Sequence, residues 1–201
     1  MSGTSLDGLD IAFVELTYTA ENNWNFKLKV AETVSYPKEL QETLSLATTL
    51  PSPQLFKLDK ELGEIIAEAV NRFIEKNKIQ KEKVNLIASH GHTIFHQPEK
   101  GFTVQIGCGS TIALRTGIQV VNDFRTKDVI TGGEGAPLVP VGDFGLFGSE
   151  AEAYLNIGGI TNVSFKKDGK IHAFDCSPGN LPLNKLAQSK GLTYDKNGEL
   201  A

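Results

Sequence analysis

The stretch "MSGTSLDGLDIAFVEL", Met1–Leu16, sets a loop of glycine, serine, threonine and aspartate directly before an apolar run. "LDIAFVEL" (Leu9–Leu16) reads as a strand. The loop ahead of it suits a tight turn between two strands, although no leading strand precedes Met1 in the sequence. A turn of this composition leaves backbone N–H groups free and lets phosphate oxygens approach without side-chain obstruction. Gly3, Thr4 and Ser5 could supply N–H and hydroxyl donors, and Asp7 or Asp10 could hold a hydrated Mg²⁺. The competing reading is a polar hairpin turn with no ligand. Further along, "LNIGGITNVSF" repeats the theme of a Gly/Thr turn feeding an apolar strand. Two similar halves facing one cleft would explain the echo.

Working outward, "WNFKLKVAETVSY" (Trp24–Tyr36) alternates Phe26, Leu28 and Val30 with lysines, the period of a half-buried strand. "PKELQETLSLATTL" is helical up to Pro51. A long helix then begins, with Ser52 predicted as its N-cap and Pro53 in the first turn. Leu55, Leu58, Leu62, Ile65, Ile66, Ala69 and Phe73 form one apolar stripe along it. "VNLIAS" (Val84–Ser89) reads as a strand, His90–Gly101 as a loop, "FTVQIG" as a strand and "STIALRTG" as a helix closed by Gly117. "IQVVN" (Ile118–Asn122) is a strand that ends on Asp123. From about Glu150 the pattern changes to three short strands, with a hairpin turn at Asp168-Gly169, and a last helix. The expected organisation is a domain over residues 1–150 and the beginning of a second over 151–201.

Composition excludes several classes. The chain has 201 residues, 40% of them hydrophobic, and a formal net charge of −4. No Lys/Arg stripe marks a nucleic-acid surface; "KNKIQKEK" (Lys76–Lys83) reads as a solvated helix end. Cys108 and Cys176 are far apart with no CxxC partner, which fits a reducing compartment. No apolar run reaches membrane-spanning length and no signal-peptide pattern opens the chain, so the cytoplasm is expected.

Three stretches carry candidate chemistry. "SHGHTIFH" holds His90, His92 and His96. His90 and His92 could share a zinc ion, but no further Cys, His or carboxylate completes a set, and a hydrogen-bonding loop beside a ligand is the preferred reading. "GCGST" opens a helix, yet Ile112 stands where a dinucleotide fingerprint needs glycine. No GxxxxGK[ST] occurs. In "VVNDFRTKD", Asp123 follows a strand directly, where open α/β sheets place their ligands. It could act as a general base, with Arg125 pairing an anion or orienting a carboxylate; the alternative is that Asp123 caps a helix. Asp128 shares that ambiguity.

Taken together, "MSGTSLDGLD", "ASHGHTIFH", "TVQIGCGSTIALRTGIQVVNDFR", "DVITGGEGAPLVP", "YLNIGGITNVS" and "FDCSPGN" resemble one family in order and spacing, the bacterial anhydro-N-acetylmuramic acid kinases. The resemblance implies an α/β fold of the actin-like, sugar-kinase superfamily, two ribonuclease-H-like domains around an ATP cleft. It implies ATP and Mg²⁺ as cofactors. The reaction is opening of the 1,6-anhydro bond by water with transfer of the γ-phosphate to O6, giving N-acetylmuramic acid 6-phosphate in peptidoglycan recycling. By the same resemblance Asp123 matches the base that activates water. Gly3, Thr4, Ser5, Leu6, Asp7, Gly8 and Asp10 match the first phosphate hairpin, with Asp7 and Asp10 toward the metal. Gly158, Gly159 and Asn162 match the second hairpin. His90, Gly91, Thr93, Gly107, Gly109 and Arg125 fall in stretches facing the sugar.

The chain departs from the family pattern at His92, where glutamine is usual, at Glu134, and at Cys176-Ser177 in place of Thr-Gly. It is also about half the family's length. A missing first strand and an incomplete second domain are therefore expected, with no turnover by this chain alone and self-association, a homodimer at its simplest, through the exposed strand edge. The alternatives are a catalytically silent sugar-binding fragment and another sugar kinase or ATPase of the same superfamily.

Overall fold

The computed structural model describes residues 1–3, 6, 8–19, 24–148, 151–192 and 194–200. Its described part is mixed α/β and divides into two compact units. One comprises Met1–Leu16 and Phe26–Gly135, the other Thr17–Asn25 and Ala136–Ala201.

In the first unit, β1 (Gly8–Tyr18) pairs with β2 (Trp24–Ser35) in a two-stranded sheet. A Lys29–Glu15 ion pair of 2.8 Å joins the two strands. Gly8 is required there, since a Cβ would stand 2.5 Å from the carbonyl oxygen of Val34. The helix α1 (Lys38–Ser45) and a 3₁₀ turn over Ala47–Thr49 lead to Pro51. The long helix α2 (Ser52–Lys76) buries Leu58, Leu62, Ile66, Ala69 and Phe73 of the predicted stripe, with Val70 beside them, while Leu55 and Ile65 are half-buried. Its start differs from expectation. Pro51 caps it with extended backbone and Ser52 is already helical. The amides of Gln54 and Leu55 donate to the Pro51 carbonyl at 2.9 and 3.1 Å, so no Ser52 hydroxyl cap forms.

The strand β3 is confined to Ile87–Ser89, shorter than the expected Val84–Ser89, and pairs with its partner strand only from Ile87 onward. The segment expected to be a loop contains a strand, β4 (His92–Gln97), antiparallel to β5 (Phe102–Ile106). Its alternation buries His92 and Ile94. After α3 (Gly109–Thr116), Gly117 closes the helix at φ 66° as predicted. The next strand, β6 (Val120–Asn122), runs parallel to β3 with Ser89 opposite Asn122. A one-turn helix, α4 (Thr126–Ile130), follows. The unit's core gathers Leu9, Leu44, Leu58, Leu62, Ile66, Ile94, Ile106 and Ile112 around α2.

The second unit centres on an antiparallel sheet of β7 (Ala153–Ile157), β8 (Ile160–Lys167) and β9 (Lys170–Pro178). Asp168 and Gly169 both take positive φ, 52° and 74°, the signature of the tight hairpin their sequence predicts. Two helices, α5 (Val139–Leu146) and α6 (Asn180–Ser189), belong to this unit. Asp143 of α5 is buried and accepts from the fully buried Ser164 hydroxyl at 2.7 Å, and Phe144 meets Tyr154 edge-on at 5.2 Å. These contacts place α5 with the second unit. Among the described residues no helix is long and apolar enough to cross a membrane.

Candidate active site

Parallel pairing of β3 with β6 brings the residues just beyond their carboxyl ends, His90 and Asp123, to the same end of the pair. Arg125 bridges the two loops. Its Nε donates to His90 Nε2 at 3.0 Å and its Nη1 to the Gly135 carbonyl at 2.7 Å. With Nε2 accepting, the ring proton sits on Nδ1 and donates to the Gly91 carbonyl at 3.0 Å. Burial, reinforced by the Arg125 charge, holds the His90 imidazole below its ordinary value. The neutral ring is therefore a fixed part of the loop. Asp128 steadies the same stretch, accepting the Gly135 amide at 2.7 Å.

Asp123 is exposed and takes φ 60°, a left-handed conformation that asparagine and aspartate tolerate better than most residues. Its Oδ1 accepts the Thr126 amide at 3.2 Å, while Arg125 holds the N-cap position of α4 and no side chain caps that helix. The second carboxylate oxygen is not used in this bond. Asp123 lines a cleft of about 330 Å³ with Asp59, Thr103, Gln105, Gly107, Cys108, Gly109, Ser110 and Asn122.

Three glycines shape this region by what they lack. A Cβ on Gly91, at φ 69°, would lie 2.3 Å from the Ile106 carbonyl oxygen. One on Gly109 would lie 2.5 Å from Asn122 Oδ1. Gly107, at φ 114°, stands close to Gly91. The β3–β4 and β5–α3 turns therefore pack against each other through bare backbone. Thr93, the remaining sugar-side residue, lies on β4 opposite Gln105.

Other contributors escaped the sequence. Asp59 of α2 accepts the Gly107 amide on Oδ1 at 2.9 Å, and its backbone carbonyl accepts the Cys108 amide at 3.0 Å. It thereby holds the turn that opens α3. Lys60 donates to Cys108 Sγ at 3.0 Å. Burial works against ionisation of that thiol, but hydrogen bonds from Lys60 and Thr111 outweigh it and bring the group below its ordinary value. No sequence signal marks Asp59 or Lys60, because their partners stand 48 positions away.

Of the opening loop, Thr4, Ser5 and Asp7 lie outside the described residues. The rest is a closed turn. Ser2 bridges Leu9 in antiparallel fashion, Asp10 donates its amide to the Met1 carbonyl at 2.9 Å, and Leu6 donates to Gly3 at 3.3 Å. The Ser2 hydroxyl is buried against His92 Nδ1 at 3.1 Å. Asp10 Oδ1 accepts from Thr33 Oγ1 at 2.5 Å. Among the described residues no group of three or more His, Cys, Asp or Glu side chains gathers as a metal site.

In the second unit, Gly158 and Gly159 form the β7–β8 turn. Their carbonyls accept the amides of Gly179, Asn180 and Leu181. The first donors of α6 are thus spent on this turn. A Cβ on Gly179 would lie 2.3 Å from the Gly158 oxygen, which explains the glycine. Asn162 stands opposite Asp175, and its Oδ1 is buried without a hydrogen-bond partner among the described residues. Asp175 itself is exposed on β9.

The family model described as anhydro-N-acetylmuramic acid kinase matches residues 1–201. A protein of Haemophilus influenzae named anhydro-N-acetylmuramic acid kinase is 39% identical over 212 aligned residues, which cover 100% of this chain and 53% of the relative. Relatives of the same name from Pseudomonas putida and Shewanella oneidensis are 39% and 40% identical, each aligned over 100% of this chain and 56% of its own length. The chain thus spans about half the length of the curated relatives it matches. With its whole length matched and the six motifs in order, it belongs to the anhydro-N-acetylmuramic acid kinase family.

Proposed function

We propose that this chain provides the sugar site and phosphate turns of an ATP-dependent kinase acting on anhydro-N-acetylmuramic acid, in an actin-like fold. The observation that carries the reading is the cleft beyond β3 and β6, where Asp123 stands beside a glycine-shaped turn. Its volume of about 330 Å³ is in the range of small-molecule sites.

In the proposed reaction Asp123 takes a proton from water as the water oxygen bonds to the anomeric carbon. The C1–O6 bond breaks, O6 takes the γ-phosphoryl group of ATP, and ADP leaves. A base acting on water is chemically required, because the anhydro sugar has no free 6-hydroxyl to deprotonate. His90, Gly91 and Arg125 form a rigid wall that orients the sugar. The opening turn and Gly158, Gly159 and Asn162 receive phosphate. Asp10, with Asp7, would hold a magnesium ion through hard carboxylate oxygens, and the ion would offset charge on the transferred group. The reaction belongs in the cytoplasm, where ATP is available, within peptidoglycan recycling.

A second reading assigns the base to Asp175. It is favoured by one observation: Asp123 Oδ1 already accepts the Thr126 amide, whereas Asp175 is an exposed carboxylate opposite Asn162. The test is made in a full-length kinase carrying these residues. Asp123→Asn is expected to lower phosphoryl transfer by about 10²–10⁴-fold while leaving sugar affinity within a few-fold. Turnover within tenfold of wild type for Asp123→Asn, with collapse for Asp175→Asn, would transfer the role to Asp175.

A further inference from the structure

Gly107, Cys108 and Gly109 line the same cleft as Asp123. Two of the three carry no side chain, and Gly107 takes φ 114°, so the turn has little of its own to fix its path. What fixes it is the long helix α2. Asp59 Oδ1 accepts the Gly107 amide at 2.9 Å, and the Asp59 main-chain carbonyl accepts the Cys108 amide at 3.0 Å. One helical turn on, Gly63 lets the Cys108 backbone close in, since a Cβ there would lie 3.0 Å from the Cys108 carbonyl oxygen. Leu58 and Leu62, on the same stretch of α2, are buried in the core, so this anchor does not shift without the packing around it. Lys60 closes the bracket from outside, donating to Asp59 Oδ2 at 3.2 Å and to Cys108 Sγ at 3.0 Å. Of the two Asp59 contacts, the main-chain one survives any substitution. The side-chain one depends on the carboxylate, and a backbone N–H given to an ionised acceptor makes a stronger bond than a neutral pair.

We propose that Asp59 is a positioning residue for sugar binding: through the Gly107 amide it sets where the Gly107–Gly109 turn stands in the cleft. The proposal rests on the reading of this cleft as the sugar site. Asp59 acts through the turn, because its carboxylate is spent on Gly107 and Lys60, and the proton of the attacking water is left to Asp123. Without the side-chain bond the glycine turn regains conformational freedom. The sugar must then order that turn as it binds, so the loss appears as affinity.

The experiment is calorimetric titration of this chain and its variants with anhydro-N-acetylmuramic acid, with amide hydrogen exchange followed by NMR. Asp59→Ala is expected to weaken sugar binding by about tenfold, the worth of one well-made hydrogen bond to a charged group. It should also speed exchange at Gly107, while the amides of α2 and β5 keep their protection. Asp59→Asn, which keeps an acceptor oxygen in the same place, should hold affinity within about threefold of wild type. A merely structural role would lower protection throughout the unit, and Asn would not restore the affinity. In wild type alone, the amide resonances of Gly107, Cys108 and Gly109 should shift on saturation with the sugar, which decides the matter even if Asp59→Ala fails to fold. Wild-type affinity in folded Asp59→Ala, an equal loss in Asp59→Asn, or unmoved Gly107–Gly109 resonances while those of Asp123 move would overturn the assignment and leave the sugar site standing. No binding by wild type would overturn both.

Discussion

Asp123 occupies a backbone conformation that few side chains adopt, at φ 60° directly after β6. Such positions cost energy and persist where the surroundings hold them, here through the Thr126 amide. The sequence placed Asp123 at a strand end but left the base and the cap as alternatives. In the structure Arg125 holds the N-cap position of α4, Asp123 Oδ1 accepts the Thr126 amide, and the second oxygen remains able to take a proton because each accepts independently. His92 offers a second test at this scale. It is 5% exposed, bonded to Ser2, and held below its ordinary value by burial. The folded chain therefore takes up fewer protons than the unfolded chain as pH falls through 6.5, so its stability drops there, and above that value both states are neutral and the effect vanishes. His92→Gln, which restores the residue usual in the family and can keep a hydrogen bond to Ser2, is expected to flatten this acid loss. Thermal melts between pH 7.5 and 5.5 compare the two; equal slopes would show that His92 is not the titrating group.

The long helix α2 was legible because its stripe repeats over several turns and needs no partner to be recognised. Leu62 lies at its centre with no exposed surface, packed in the core shared with Ile66 and Ile112. Leu62→Ala should cost about 2–5 kcal/mol of stability, read from denaturant unfolding, and a loss below about 1 kcal/mol would mean that the core collapses around the cavity. Other elements were hidden. The strand β4 carries two histidines and a threonine between Gly91 and Pro98, so its alternation was masked by residues that usually mark loops. The helix α5 contains Gly142, Gly145 and Pro140, a composition that local propensity does not favour. It is anchored by tertiary contacts, Asp143 with Ser164 and Phe144 with Tyr154. Gly63 tells the same story from inside α2: a Cβ there would lie 3.0 Å from the Cys108 carbonyl, a constraint set by a residue far along the chain.

At the scale of the molecule, the sequence revealed the change in character toward the C-terminal strands, the glycine turns and the motifs that name the family. What it could not reveal is contact between distant segments: Asp59 with Gly107, Arg125 with His90, Gln105 with Thr103. The second of these is 35 positions apart and ties two separate motifs together at the carboxyl end of the β3–β6 pair. The proposal to be tested is that this end receives the sugar. At 21.8 kDa the chain suits amide-resolved NMR, and titration with anhydro-N-acetylmuramic acid measures the claim directly. Saturable shifts are expected, concentrated at His90–Thr93, Gln105–Gly109 and Asn122–Thr126. Shifts confined to other segments, or none at saturating sugar, would contradict it.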